Sequence, residues 1–206
     1  MRTVFLTTFL AFTCGFTSVL PSAGAFSLKT GDIILQSNRC YLCELIEKEE
    51  NTPYSHMGIL VKDHGQWNVL EAWTKVEETP LDQFLSRRRK GTKTLVMRLK
   101  DHRIFPLITS HSLLKRFHHS FAGKNYDEDF LWNNRDELGE KYYCSEFVAK
   151  FLSPFLSQPM ATKPMHFDID RQFWLEYFHG NPPDGQPGIS PGDFERSSLF
   201  RPIGIR

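Results

Sequence analysis

Tyr142-Tyr143-Cys144-Ser145-Glu146-Phe147-Val148-Ala149-Lys150-Phe151-Leu152-Ser153-Pro154-Phe155 is the stretch on which the fold turns. Phe147, Val148, Phe151, Leu152 and Phe155 recur at the spacing of one helical face. Pro154 halts the pattern, because proline lacks the N–H that another turn needs. Cys144 therefore opens a helix. The first turn of a helix leaves backbone N–H groups unpaired and carries a partial positive charge. That setting favours thiolate over thiol, and thiolate is the form that attacks a carbonyl. The same N–H groups can hold the negative oxygen of a tetrahedral intermediate. A plainer reading stands beside this one. Cys144 shares the face of Phe147 and Val148, so it can serve as a small core residue.

Upstream, Tyr54-Ser55-His56-Met57-Gly58-Ile59-Leu60-Val61 reads as a strand apolar on both faces and therefore buried. Asp63-His64-Gly65 is a turn, and Trp67 to Trp73 is the returning strand of a hairpin. His56 opens the first strand, at a sheet rim where an imidazole can be held with one edge free. Glu71 sits within Val69-Leu70-Glu71-Ala72-Trp73, and a carboxylate in such an apolar run is costly without a partner. With the two strands paired, Glu71 can accept the second ring N–H of His56, fix its tautomer and stabilise the imidazolium. The bland alternatives are a hydrogen-bonded structural histidine and an outward-facing glutamate. Cys144, His56 and Glu71 together fit one device: a nucleophile on a helix tip, with base and orienter on neighbouring strands.

The remaining chain completes an α+β pattern, a small antiparallel sheet packed on helices. Residues 33–36 form a short buried strand after the Gly31-Asp32 turn. Residues 40–50 form a helix with Leu42, Leu45 and Ile46 on one side. Helices are expected over 81–89 and 107–121, and a strand over 94–99. Residues 123–142 are polar and irregular. The Pro- and Gly-rich stretch around Asn181-Pro182-Pro183-Asp184-Gly185 reads as a surface excursion that returns through Ile189 to Phe200. Segments 77–93 and 156–190 are expected to shape the cleft.

The chain has 206 residues, and its 25 Lys and Arg nearly balance its 24 Asp and Glu. That balance leaves no basic surface large enough to make nucleic acid the default partner. The one dense run, Arg87-Arg88-Arg89-Lys90, reads as a solvated helix end. Residues 1–25 have the pattern of a secretory signal: Met1-Arg2, an apolar Val4 to Val19, then small residues up to a cut after Ala25. The apolar run is short for a membrane span, and Thr13 before Cys14 is a poor lipidation site. Residues 26–206 are then a single exported domain, periplasmic or secreted, with enough chain for its own core. It keeps Cys40, Cys43 and Cys144, so at least one thiol has no partner within the chain.

Taken together, Gly31-Asp32-Ile33-Ile34, Tyr54-Ser55-His56-Met57-Gly58-Ile59, Val69-Leu70-Glu71-Ala72 and Tyr142-Tyr143-Cys144-Ser145-Glu146-Phe147-Val148 resemble the circularly permuted branch of the NlpC-type papain-like cysteine hydrolases, the YiiX-like group. In ordinary members the cysteine helix precedes the histidine strand; here His56 comes before Cys144, as the permuted branch requires. Ser190-Pro191-Gly192-Asp193-Phe194 is similar to the end of that group. The resemblance implies a permuted papain-like fold, with Cys144 as nucleophile, His56 as base and Glu71 as the polar third member. It also implies an oxyanion-side role for Tyr126, in Asn125-Tyr126-Asp127, and calls for no cofactor. Phe147 stands where many relatives carry a smaller aliphatic residue, a departure expected to alter the pocket.

The function that follows is an exported cysteine (thiol) peptidase or amidase acting on a small peptide, a peptidoglycan fragment or an acyl-amide through an acyl-enzyme. Lecithin–retinol acyltransferase and its relatives are similar papain-like proteins. A lipid acyltransferase, esterase or thioesterase using the same cysteine is therefore the first alternative, and it would suit work near a membrane surface. The second is a non-catalytic binding protein, or a metal or redox protein built on Cys40-x-x-Cys43. A structural zinc needs four ligands, and no second cysteine pair exists. His111, His118 and His119 have no spacing that demands a shared ion.

Overall fold

β1 (Ile33–Gln36) is buried along its whole length, so the sheet it belongs to must be covered on both faces. The structure, a computed structural model, describes residues 27–205; the expected signal segment and Cys14 lie outside them. After β1 come α1 (Tyr41–Glu49), β2 (His56–Asp63), β3 (Gln66–Ala72), β4 (Val76–Pro80), α2 (Leu81–Ser86), β5 (Leu95–Leu99) and α3 (Ser110–Ser120). A short ribbon, β6 (Arg135–Asp136) and β7 (Gly139–Glu140), leads into α4 (Cys144–Leu152). The chain ends with β8 (Lys163–Pro164), α5 (Arg171–Tyr177), β9 (Pro187–Gly188), α6 (Pro191–Arg196) and β10 (Phe200–Ile205).

Six strands form one antiparallel sheet in the order β10-β5-β1-β2-β3-β4. Alternation along each strand sorts the side chains into two cores. Ile33, Leu35, Met57, Ile59, Val61 and Leu70 face the larger one, together with Phe117 of α3 and Phe147, Val148 and Phe151 of α4. Ile34, Leu60, Val69 and Val96 face the smaller one, where Phe84 of α2 covers them. The expected α+β layering, with an antiparallel sheet against helices, is the observed one.

Gly58 belongs to the smaller face. A Cβ there would lie 2.4 Å from Val69 Cγ1, 2.8 Å from Leu70 O and 3.3 Å from Glu71 Cβ. Its missing side chain lets β3 lie close, with Glu71 directly across from it.

Several elements differ from expectation. α2 ends at Ser86, short of 81–89, and α3 starts at Ser110 behind the Thr109–Ser112 capping box. Pro106 lies instead in a separate 3-10 turn, Phe105–Leu107. The tail is not only a surface excursion: it builds α5, α6 and the edge strand β10. Phe200-Arg201-Pro202-Ile203-Gly204-Ile205 holds a proline and a glycine, which weaken strand propensity, and both are accommodated at the sheet edge with an irregular register between Pro202 and Gly204. Among the described residues no helix is long and apolar enough to cross a membrane.

Candidate active site

Cys144 is the first residue of α4, preceded by Tyr143 in extended conformation. Among the described residues no side chain caps this end, so the first-turn N–H groups keep their capacity for an anion. The thiol is unpaired and 6% exposed. Its sulfur lies 4.0 Å from the backbone carbonyl of Ser55, the residue before His56. Tyr143 and Ser145 fasten this corner to the tail: Ile189 N donates to Tyr143 Oη at 3.1 Å, and Ser145 Oγ donates to Ile189 O at 2.8 Å.

His56 begins β2, and strand parity turns it and Glu71 toward the face that carries Phe84. Its Nε2 lies 2.5 Å from Glu71 Oε2. Nδ1 is not engaged by Glu71, and Cys144 lies near enough to raise the proton affinity of the ring. Trp73 and Phe84 flank the imidazole, with ring centroids 5.2 and 5.5 Å away. The ring is more deeply enclosed than a rim position suggests, at 2% exposure. Burial pulls its pKa down, but the hydrogen bonds and charges of Cys144 and Glu71 win and hold it at about 9. Glu71 is fully buried. Burial pushes its carboxyl up, yet His56 and Arg87 outweigh this and keep it below the usual carboxylate value.

Arg87 is the member that sequence reasoning missed. Its Nη2 donates to the second oxygen of Glu71, Oε1. Its guanidinium stacks 4.4 Å over the Trp73 ring. The reading of Arg87-Arg88-Arg89-Lys90 as a solvated helix end is corrected here. Helix α2 stops before the run, and the arginines diverge to separate partners. Arg88 Nη1 donates to Thr94 Oγ1 at 3.2 Å, and Arg89 Nη2 reaches Glu47 Oε2 at 2.5 Å. Glu47 in turn accepts from Ser55 Oγ at 2.9 Å, so the turn before His56 is anchored to α1. A buried glutamate in an apolar strand was the available signal that a cation had to be near.

Tyr126 forms a parallel bridge with Tyr142, just ahead of α4. It lines the cleft with Cys144, and burial foremost, then the nearby Cys144, pushes its hydroxyl well above the ordinary tyrosine value. Asp127 beside it, also unanticipated, is fully buried and accepts from Leu131 N at 2.9 Å and Asn134 Nδ2 at 2.7 Å. That network fixes the irregular loop on which Tyr126 sits. The structure thus brings Cys144, His56, Glu71 and Tyr126 to one place. Phe147, by contrast, is buried among Phe117, Phe121, Tyr142 and Phe151, so it fills the core beneath the helix.

Two hollows meet at the site. One, about 310 Å³, is bordered by His56, Trp73, Tyr126, Phe130 and Tyr177. The other, about 40 Å³, lies between Cys144, Tyr126, Met165, Phe167 and Ile189. Segment 156–190 therefore does wall the cleft. Segment 77–93 acts from behind, through Phe84 and Arg87. Cys40 and Cys43 border the larger hollow and form a disulfide, which takes both sulfurs out of consideration as thiolate ligands. Among the described residues no cluster of three or more His, Cys, Asp or Glu could hold a metal ion.

An Escherichia coli K12 protein, uncharacterized protein YiiX, is 34% identical over 135 residues, 65% of this chain and 62% of that relative's length. The crystal structure described as metalloprotein YiiX from Escherichia coli O157:H7 superposes with a TM-score of 0.72 at 26% identity, covering 86% of this chain and 97% of that one. The model of the permuted papain-like amidase enzymes, the YaeF/YiiX or C92 family, matches residues 27–199. With the match spanning most of its length, the chain belongs to the C92 family of permuted papain-like amidases.

Proposed function

We propose that this chain is an exported cysteine amidase that cleaves a small amide, a cell-wall peptide or a related acyl-amide, through an acyl-enzyme on Cys144. The observation that supports it most is the contact of 2.5 Å between His56 Nε2 and Glu71 Oε2, on a ring whose proton affinity Cys144 also raises. In the resting site the proton sits on His56, whose pKa is raised to about 9. The thiolate attacks the scissile carbonyl, and the N–H groups at the start of α4, with Tyr126 beside them, hold the oxyanion. His56 then gives its proton to the leaving amine. It next takes a proton from the attacking water, and release of the acid frees the sulfur as thiolate beside the again protonated ring. Glu71 keeps the imidazole in one tautomer and supports its charge throughout.

Leu42, Ile46, Trp73 and Phe130 give the larger hollow apolar walls, which favours as second reading an acyl chain as the group carried by the enzyme. Purified protein and Cys144→Ala are to be compared on peptidoglycan fragments, acyl-amides, acyl esters and thioesters. Turnover of amides by the parent, lost in Cys144→Ala with the fold retained, is the expected result. Turnover of esters alone would shift the reading to the lipid esterase or acyltransferase alternative, and full activity in Cys144→Ala would end both.

A further inference from the structure

The charged groups around Glu71 are His56 from β2, Arg87 from the end of α2, and Glu77, its register partner on β4. A fully buried carboxylate beside a second acidic residue is an expensive arrangement. With His56 as its only partner, the hydrogen-bonded proton could pass to Glu71, leaving a neutral acid and a neutral ring. Such a ring can neither carry charge nor offer a fixed tautomer to the sulfur. A guanidinium forbids that outcome, because it is always charged and cannot itself supply a proton at working pH.

Arg87 meets the requirement with a specific geometry. It takes the oxygen of Glu71 that His56 does not use. Trp73, whose face it covers at 4.4 Å, also packs against the His56 ring at 5.2 Å. Phe84 serves the same pair, 5.5 Å from the guanidinium and 5.5 Å from the imidazole. The two cations thus share one carboxylate and two aromatic walls. Arg87 keeps 17% of its side chain exposed, so its own desolvation is incomplete while Glu71 has none of its surface in water.

We infer that Arg87 is a positioning residue of the active site, which holds Glu71 as an anion so that the proton stays on His56 and faces Cys144. This rests on the reading of Cys144 and His56 as the reacting pair, and deepens it by one member. The chain of contacts runs Arg87–Glu71–His56, with Trp73 and Phe84 keeping the first and third in register, and the ring is in turn the group on which Cys144 acts.

The test uses alkylation of Cys144 by iodoacetamide across pH, followed by peptide mass analysis. It needs no substrate, so failure of the amidase reading, seen as no turnover with an unchanged alkylation profile, stays separate from failure of this one. Arg87→Met, which keeps the length and apolar stem, should slow alkylation at neutral pH about tenfold and move the acid limb of the profile about one unit higher. Arg87→Lys restores the charge without the planar stack and should recover most of that loss. In a Glu71→Gln background Arg87→Met should change the rate by less than about twofold, since the anion it serves is gone. Where turnover is measurable, kcat falls with KM little changed. A parent-like profile in Arg87→Met overturns the inference, as does an equal loss with Glu71 already replaced. Should Arg87→Met not fold, Arg87→Lys in the two backgrounds makes the same comparison: loss confined to the Glu71 background supports the role, and equal loss in both overturns it.

Discussion

The imidazole of His56 ties the stability of the whole chain to pH. Its pKa stands at about 9 in the fold against an ordinary 6.5, with burial opposing and Cys144 and Glu71 prevailing. A histidine whose pKa is raised by folding binds its proton more tightly in the native state. Its contribution is therefore complete below pH 6.5, declines as the pH climbs, and is gone once the pH has passed about 9. At about 1.4 kcal/mol per pH unit this amounts to about 3 kcal/mol. The ring is 2% exposed, so solvent screening takes little of it. With a urea m-value of about 2 kcal/mol/M for a chain of this size, the midpoint moves by about 1.5 M. Urea unfolding at pH 6 and at pH 10, for the parent and His56→Gln, measures it. The parent should lose about 3 kcal/mol more than the variant between the two pH values. Cys144→Ala removes the leading partner that raises the pKa and should fall between them. Parallel curves for parent and His56→Gln would mean that the ring carries no excess proton affinity, and the imidazolium–thiolate pair would lose its support.

Gly58→Ala forces a methyl to within 2.4 Å of Val69 Cγ1 and 2.8 Å of Leu70 O. It should cost about 2 kcal/mol, read as a fall of about 5 °C in Tm, and it should slow Cys144 alkylation by disturbing Glu71. Reduction of Cys40–Cys43 opens a ring of only a few residues, so chain entropy predicts a loss of about 2 kcal/mol rather than unfolding. Denaturation with and without dithiothreitol reads this directly; collapse of the fold on reduction would give the disulfide a far larger part.

Local pattern carried much of this site. The apolar stripe from Phe147 to Phe155 marked α4 and its first residue, because helix periodicity is written in consecutive turns. Asp63-His64-Gly65 and the flanking apolar runs marked the β2–β3 hairpin, whose register is a local property, and so put Glu71 near His56. Arg87 escaped for the opposite reason. A run of four cations looks the same whether it is solvated or split among Glu71, Thr94 and Glu47, and only the docking of α2 on the sheet decides. β10 escaped because Pro202 and Gly204 mask a strand that exists through its pairing with β5. Tyr126 could be placed by resemblance alone, since the loop that carries it is organised by buried Asp127 rather than by periodicity.

Permutation has a consequence for the order in which the chain is made. His56 and Glu71 are neighbours along the sequence, joined through one tight turn, whereas Cys144 follows after four further strands, counting the two of the small ribbon, and two α-helices. On a ribosome the acid–base half emerges first and waits, with no sulfur to activate. On the proposed reading, reactivity therefore arrives late in synthesis, when α4 settles against β2, and an unfinished polypeptide carries no activated sulfur.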